Sequence, residues 1–257
     1  MSRLENQVVF ITGASSGIGA ACARAFAREK ARLLLLARRG ERLAALDDEL
    51  RSLGAADILP LVLDVRHQER IARTIEYLPD SWKQVEVLVN NAGLSRGLSG
   101  LHEGVLEDWE EMIDTNVKGL LYIDRGVLPL MVGRGRGTVV HIGSIAGHQV
   151  YPGGNVYCAT KHAVRALTDG LRIDLLGSGV RVVSVDPGLV ETEFSEVRFR
   201  GDTKRAAGVY QGLTPLTGDD VAEIVLFAAT RPAHVNLAEV LVLPTDQASA
   251  NHLHREG

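Results

Sequence analysis

Two cysteines, Cys22 and Cys158, are all that the 257 residues contain, and each falls within an amphipathic stretch read as a helix. A disulfide framework is thereby excluded, and a reducing, cytoplasmic setting is expected. Long apolar runs are missing too, since none approaches the ~20 residues of a membrane span, so no membrane partner is expected. The opening residues, 1–7, lead into an apolar strand without the charged, apolar and small-residue regions of a signal peptide, and none is expected. Charge of one sign is scarce: the formal net charge is −4 and the lysines and arginines are dispersed, which argues against a nucleic-acid surface. There is no internal repeat, low-complexity tract or heptad pattern. His252 and His254 stand near the end without a third ligand, so the last stretch reads as a solvated polar tail and no metal site is expected.

What is present is a core. With 46% apolar residues the chain reads as one domain, 1–257. Short β-branched or leucine-rich runs alternate with longer amphipathic ones, which predicts an α/β fold: a single-domain Rossmann-type, doubly wound, parallel seven-stranded sheet with helices on both faces. Strands are expected at 8–12, 32–37, 58–63, 85–89, 138–142, 180–185 and 240–243. Helices are expected at 17–28, 41–53, 68–77, 107–132, 156–176 and 219–229. Residues 191–216 break the alternation with Pro, Gly and mixed charge and read as a substrate lid.

A strand ending at Thr12 runs into Gly13-Ala14-Ser15-Ser16-Gly17-Ile18-Gly19. Glycines at Gly13, Gly17 and Gly19 let the backbone approach a pyrophosphate, while the amides of Ser15, Ser16 and Ile18 open a helix whose dipole favours negative charge. The second strand ends at Ala37, where an acid would hold a ribose 2′-hydroxyl, and continues into Arg38 and Arg39. A guanidinium there suits the ribose 2′-phosphate of NADP, and a missing carboxylate removes the repulsion that would exclude it.

Tyr157 and Lys161 stand four residues apart, thirteen and more residues after Ser144. On a helix that spacing puts phenol and ammonium on one face. Bringing a phenol from its reference pKa of about 10 to ~7 takes about 4 kcal/mol. One positive charge ~4 Å away at an effective dielectric of ~20 supplies that much. Cys158 adjoins Tyr157 but points elsewhere on the helix.

These motifs, with Asn90-Asn91-Ala92-Gly93 after the fourth strand, resemble the short-chain dehydrogenase/reductase family over essentially the whole chain. The resemblance implies that Tyr157 exchanges a proton with the substrate oxygen, Lys161 lowers the phenol pKa and holds the nicotinamide ribose, Ser144 bonds the reacting oxygen and Asn116 helps relay protons. It also implies cofactor contacts at Asp64 and Val65, Asn90 beneath the cofactor with Ala92 and Gly93, and Pro187, Gly188, Val190 and Thr192 around the nicotinamide. Asp64 reads equally as a helix N-cap.

Further segments, among them 107–110, 112–116, 153–157 and 192–195, resemble the branch of NADP-dependent 3-hydroxy acid dehydrogenases that oxidise serine and allo-threonine. Departures at Ile145, His148, Gln149 and Val150 lie beside the reacting centre. A sulfoacetaldehyde reductase or a broader aldehyde and ketone reductase would use the same machinery; an acyl-carrier ketoreductase and a noncatalytic NADP-binding regulator are the other readings. The expected substrate is a small anionic 3-hydroxy acid or its semialdehyde or keto form, with its carboxylate at Arg198 and further polar contacts from Asn155 and Gln149. Apolar residues around more of the helices at 107–132 and 156–176 than one buried face needs predict a symmetric homo-oligomer, and the family resemblance suggests a tetramer.

Overall fold

Seven apolar runs pair edge to edge in the order β3-β2-β1-β4-β5-β6-β7, all parallel, in a computed structural model that describes residues 3–256. Residues 1, 2 and 257, the extreme ends of the expected domain, lie outside the described residues. The strands are β1 (Val8–Thr12), β2 (Arg32–Ala37), β3 (Asp57–Val62), β4 (Val85–Asn90), β5 (Gly137–Ile142), β6 (Val180–Pro187) and β7 (Glu239–Val242). Between them run α1 (Gly17–Arg28), α2 (Gly40–Ser52), α3 (Gln68–Glu76), α4 (Leu106–Ile113), α5 (Leu120–Arg134), α6 (Asn155–Asp174), α7 (Phe194–Arg198), α8 (Thr203–Gly208) and α9 (Gly218–Ala229).

Because strand side chains alternate faces, β1 serves both layers. Val9 and Ile11 join the core beneath α1, α2 and α9, whereas Val8 and Phe10 join the one beneath α3 and α5. Both faces of the sheet are therefore apolar, as parallel sheets require. The chain winds outward from β1 in both directions, so its topological switch lies between β1 and β4, where ligands enter such sheets.

The expected helix at 107–132 is divided. A wide π-helical turn, Asp114–Gly119, separates α4 from α5 and carries Thr115 and Asn116 inward. The cause is tertiary: the Asn116 amide binds both main-chain groups of Leu94, at 2.8 Å each. The polar end of the chain is also no free tail. Its backbone folds on itself through His254 N to Asp246 O (2.8 Å) and returns to Gly212 through Glu256 N (2.7 Å). Residues 191–216, read as a lid, hold α7 and α8, and the excursion begins and ends on one bridge, Val190 with Leu216.

A buried polar network fastens the switch point. Asn90 accepts from the Thr12 hydroxyl (3.3 Å) and donates to Asp124 Oδ1 (3.1 Å) and the Leu120 carbonyl (3.2 Å). His141 reaches Asp124 Oδ2 (3.1 Å) through Nε2 and Thr168 (2.8 Å) through Nδ1. The Asn90 side chain, expected beneath the cofactor, thus binds the layer behind the strands. Its strand-end side chain points into the α5 layer, and the next residue, Asn91, turns to the cleft.

Asp124→Ala should leave both Asn90 and His141 short of a buried partner. Breaking such a pair costs about 3 kcal/mol or more. Urea unfolding of the two proteins measures it, and a loss below ~1 kcal/mol would mean that the network does not hold the sheet together.

Candidate active site

One cleft opens at the C-terminal ends of β1, β4 and β5 and is lined by most of the residues singled out above; Gly19, Asn90, Asn116, Gln149, Asn155 and Arg198 stand outside its lining. The loop Gly13–Ile18 forms one wall. Gly13 and Gly17 have φ of +66° and +52°, the left-handed region that disfavours side chains. A Cβ on Gly19 would lie 2.3 Å from the Gly13 carbonyl, so Gly19 closes the loop onto α1 from behind. Ser15, Ser16, Gly17 and Ile18 line the cleft, and α1 begins there with its free amides.

At the tip of β2 both arginines border the cleft. Arg39 is pinned over the glycine loop: Nη2 donates to Ser16 Oγ (2.7 Å) and Ser15 Oγ (3.2 Å), and Nη1 to Glu193 (3.0 Å). Arg38 is half exposed and only loosely opposed, 3.9 Å from both Asp64 and Glu111. Two guanidinium groups, two hydroxyls and no carboxylate at Ala37 form a donor set that fits a ribose phosphate. Asp64 and Val65 line the neighbouring wall. Asp64 is not the N-cap of α3, a position held by His67 without a side-chain bond. Its carboxylate instead accepts from Arg66 backbone and guanidinium, the latter at 2.7 Å, and although burial pushes that carboxyl up, Arg66 and Arg38 hold it below the ordinary aspartate range.

Ala92 and Gly93 form the floor, and Pro187, Gly188, Val190 and Thr192 the opposite rim. Ser144 follows β5, with Oγ accepting from Ala146 N (3.1 Å). That bond leaves its hydroxyl proton to be donated toward the Tyr157 phenol. Tyr157 lies in the first turn of α6 and Lys161 one turn on, both buried. Lys161 Nζ donates to the Ile142 carbonyl at 2.8 Å, and burial pushes its ammonium down to about 8 against the pull of Asp186. Asn116 does not line the cleft; it supports it from behind by holding Leu94 and Thr160 (3.1 Å).

Tyr157 sits in an environment that favours its protonated form. Burial pushes the phenol up, Tyr151 adds to this, and the counterweights are Arg198 and a hydrogen bond with Ser144. Cys158 adds to the upward push, and the Lys161 ammonium is engaged by the Ile142 carbonyl at the end of β5. Arg198 stands 5.5 Å from the Tyr157 ring centroid and 5.1 Å from that of Phe194, and donates through Nη2 to Tyr151 Oη (3.1 Å). Its Nε is buried without a hydrogen-bond partner.

Two expected substrate contacts are corrected. Gln149 accepts from Ala250 N (2.9 Å), captured by the returning C-terminal segment, and does not reach the cleft. Asn155 turns to its own helix, accepting from Val156 N (2.7 Å), and borders a smaller adjoining cavity with Trp109 and Met112. Three residues escaped the sequence reading: Glu193 on Arg39, Gln247 accepting from Leu189 N (2.8 Å) at the rim, and Tyr151 on Arg198. Their partners lie tens of residues away, beyond any local pattern, although charge at Glu193 beside Thr192 was a visible signal. Among the described residues, His148, Asp186 and Glu239 form the one group with metal-ligand chemistry. His148 is bonded to Asp186 (2.9 Å) and Glu239 is held by Arg165 (2.9 Å).

Residues 7–202 match the family model described as short chain dehydrogenase. The NADP-dependent 3-hydroxy acid dehydrogenase YdfG of Salmonella typhi is 48% identical over 95% of this chain and 97% of its own. Sulfoacetaldehyde reductase 2 of Chromohalobacter salexigens is 45% identical over 95% of this chain and 96% of its own. Among solved structures, the closed form of serine dehydrogenase complexed with NADP+ superposes with a TM-score of 0.90 and 45% identity, covering 97% of this chain and all (100%) of that one.

The site geometry predicts a phenol that stays protonated well beyond the ordinary tyrosine range. Ultraviolet difference titration of wild type against Tyr157→Phe isolates this one of five tyrosines. Since Arg198 favours the phenolate, Arg198→Ala should move the transition further up. A wild-type Tyr157 ionising near or below the reference value of about 10 would contradict the burial argument.

Proposed function

Because the chain belongs to the short-chain dehydrogenase family, we propose that it is an NADP-dependent oxidoreductase interconverting a small 3-hydroxy acid and its semialdehyde or keto form. NADP(H), when bound, supplies the hydride exchanged with the substrate carbon. The glycine loop, Asp64, Val65, Ala92 and Gly93 take the dinucleotide, Arg38 and Arg39 its 2′-phosphate, and Thr192 with Pro187, Gly188 and Val190 the nicotinamide end. Lys161 spends one N–H on Ile142 and keeps two for ribose hydroxyls. In the reducing direction the Tyr157 phenol gives its proton to the substrate oxygen, while the Ser144 hydroxyl steadies that oxygen. Asn116 is a positioning residue that keeps residues 93–94 in place through its bonds to Leu94.

The observation that carries the substrate reading is Arg198. A cation whose Nε is buried and unpartnered, 5.5 Å from the Tyr157 ring, suits an anionic tail placed so that the reacting carbon faces the phenol. The same cation accepts a sulfonate, which keeps sulfoacetaldehyde reduction as the second reading, beside the relative of that name. Turnover of malonic semialdehyde, sulfoacetaldehyde and a neutral aldehyde of similar size, measured with NADPH and NADH, tests both. NADPH should be favoured at least ~10-fold, and Arg198→Ala should cut kcat/KM for anionic substrates by about 100-fold while sparing the neutral aldehyde. Equal losses across substrates would reassign Arg198 to the stability of α7.

The oligomer belongs to the same proposal. Ala159, Ala166 and Ile173 (74%) on α6 are exposed, as are Leu121 (40%) and Val132 (41%) on α5 and Leu176 (88%) just after α6. Such faces support a homotetramer, and the two buried, unpaired cysteines support a cytoplasmic one. Light scattering at micromolar concentration should find a multiple of the 27.7 kDa chain; a monomer alone would reject the assembly.

A further inference from the structure

Glu193 joins the phosphate end of the cleft to the start of α7. On one side its carboxylate accepts from Arg39 Nη1 (3.0 Å) and from Arg42 in the first turn of α2. On the other it is the N-cap residue of α7, immediately before Phe194. That helix is five residues long and carries Phe194, whose ring centroid is 5.6 Å from that of Tyr157, and Arg198. The carboxylate lines the same cleft as Arg38, Arg39, Ser15 and Ser16, so an acid from the far side of the chain occupies a guanidinium face in the phosphate cradle. Arg39 has both terminal nitrogens engaged already, with Glu193, Ser15 and Ser16.

We infer that Glu193 is a determinant of cofactor choice: its carboxylate and the ribose 2′-phosphate compete for Arg39, and displacing Glu193 releases the start of α7. The inference rests on the NADP reading above. A phosphate monoester carries about −1.5 to −2 charges at neutral pH, so it out-charges a single carboxylate yet meets repulsion from it at the shared guanidinium. A cofactor without that phosphate leaves Glu193 on Arg39 and α7 tethered to the glycine loop. Phosphate recognition at one end is thereby coupled to the helix that borders the phenol at the other, and by linkage whatever settles α7 changes the affinity for the phosphate equally.

Calorimetric titration of the whole protein with 2′,5′-ADP and with 5′-AMP tests this without turnover. Glu193→Gln, which keeps size and removes charge, should tighten 2′,5′-ADP about 10-fold and leave 5′-AMP within about twofold. In wild type, 2′,5′-ADP should speed amide exchange in residues 194–198, and 5′-AMP should not. If wild type prefers 2′,5′-ADP and loses that preference in Arg38→Ala plus Arg39→Ala, the NADP reading stands. Unchanged or weaker 2′,5′-ADP binding by Glu193→Gln would then overturn the competition alone. Equal exchange with both nucleotides would overturn the link to α7. A wild type that binds the two nucleotides equally would overturn the NADP reading and this inference with it.

Discussion

A single ammonium–carbonyl bond, Lys161 Nζ to Ile142 O at 2.8 Å, sets the position of the reacting groups. It ties the second turn of α6 to the last residue of β5, so Ser144, two residues beyond that strand, and Tyr157, one helical turn before Lys161, share one cleft wall. Such a bond carries weight only because the lysine is buried, where a lost partner is expensive. The loop between the two elements is correspondingly tight. A Cβ on Gly143 would lie 1.8 Å from Asp186 Oδ1, so only glycine lets that buried carboxylate sit behind the loop, where it partly restores the charge that burial takes from Lys161.

The same burial decides what Tyr157 is. A phenol pushed up by its apolar surroundings holds its proton at rest, and any group that favours the phenolate makes that proton easier to give up. Arg198, whose guanidinium lies 5.5 Å from the ring, is a cation that favours the phenolate. On the proposed reading Arg198 does two things: an anion settling on it would weaken its pull on the phenol, so substrate charge and phenol acidity would be linked through one guanidinium.

Local pattern was enough for the layered sheet, because buried parallel strands and amphipathic helices differ in period; the observed strand ends lie within about two residues of those expected. It was also enough for the glycine loop, Ser144, Tyr157 and Lys161, whose chemistry depends on spacing within one turn or one loop. Periodicity could not see the wide turn at Asp114–Gly119, since Asn116 is drawn inward by Leu94, 22 positions away. Nor could it choose between Asn90 and Asn91: one step along a strand end exchanges the core for the cleft, and the choice depends on where Asp124 stands. Gln149 failed for a similar reason, its amide being captured by Ala250.

Arg38, Arg39 and Lys161 line the cleft of a chain whose net charge is −4, so its positive character comes from placement and not from composition. Placement needs anchors, and the anchors are acids. Glu111 holds Arg96 at 2.6 Å and stands 3.9 Å from Arg38, Asp64 holds Arg66 at 2.7 Å, and Glu193 holds Arg39 at 3.0 Å. Each acid preorganises a guanidinium and at the same time lowers what a ligand gains by meeting it. Where the acid sits behind the arginine cluster, as Glu111 does, the two effects do not conflict, because the ligand-facing N–H groups stay free. Where it shares the ligand's side, as Glu193 does, orientation and competition fall on the same bond, and the affinity of the site depends on how easily that acid can leave.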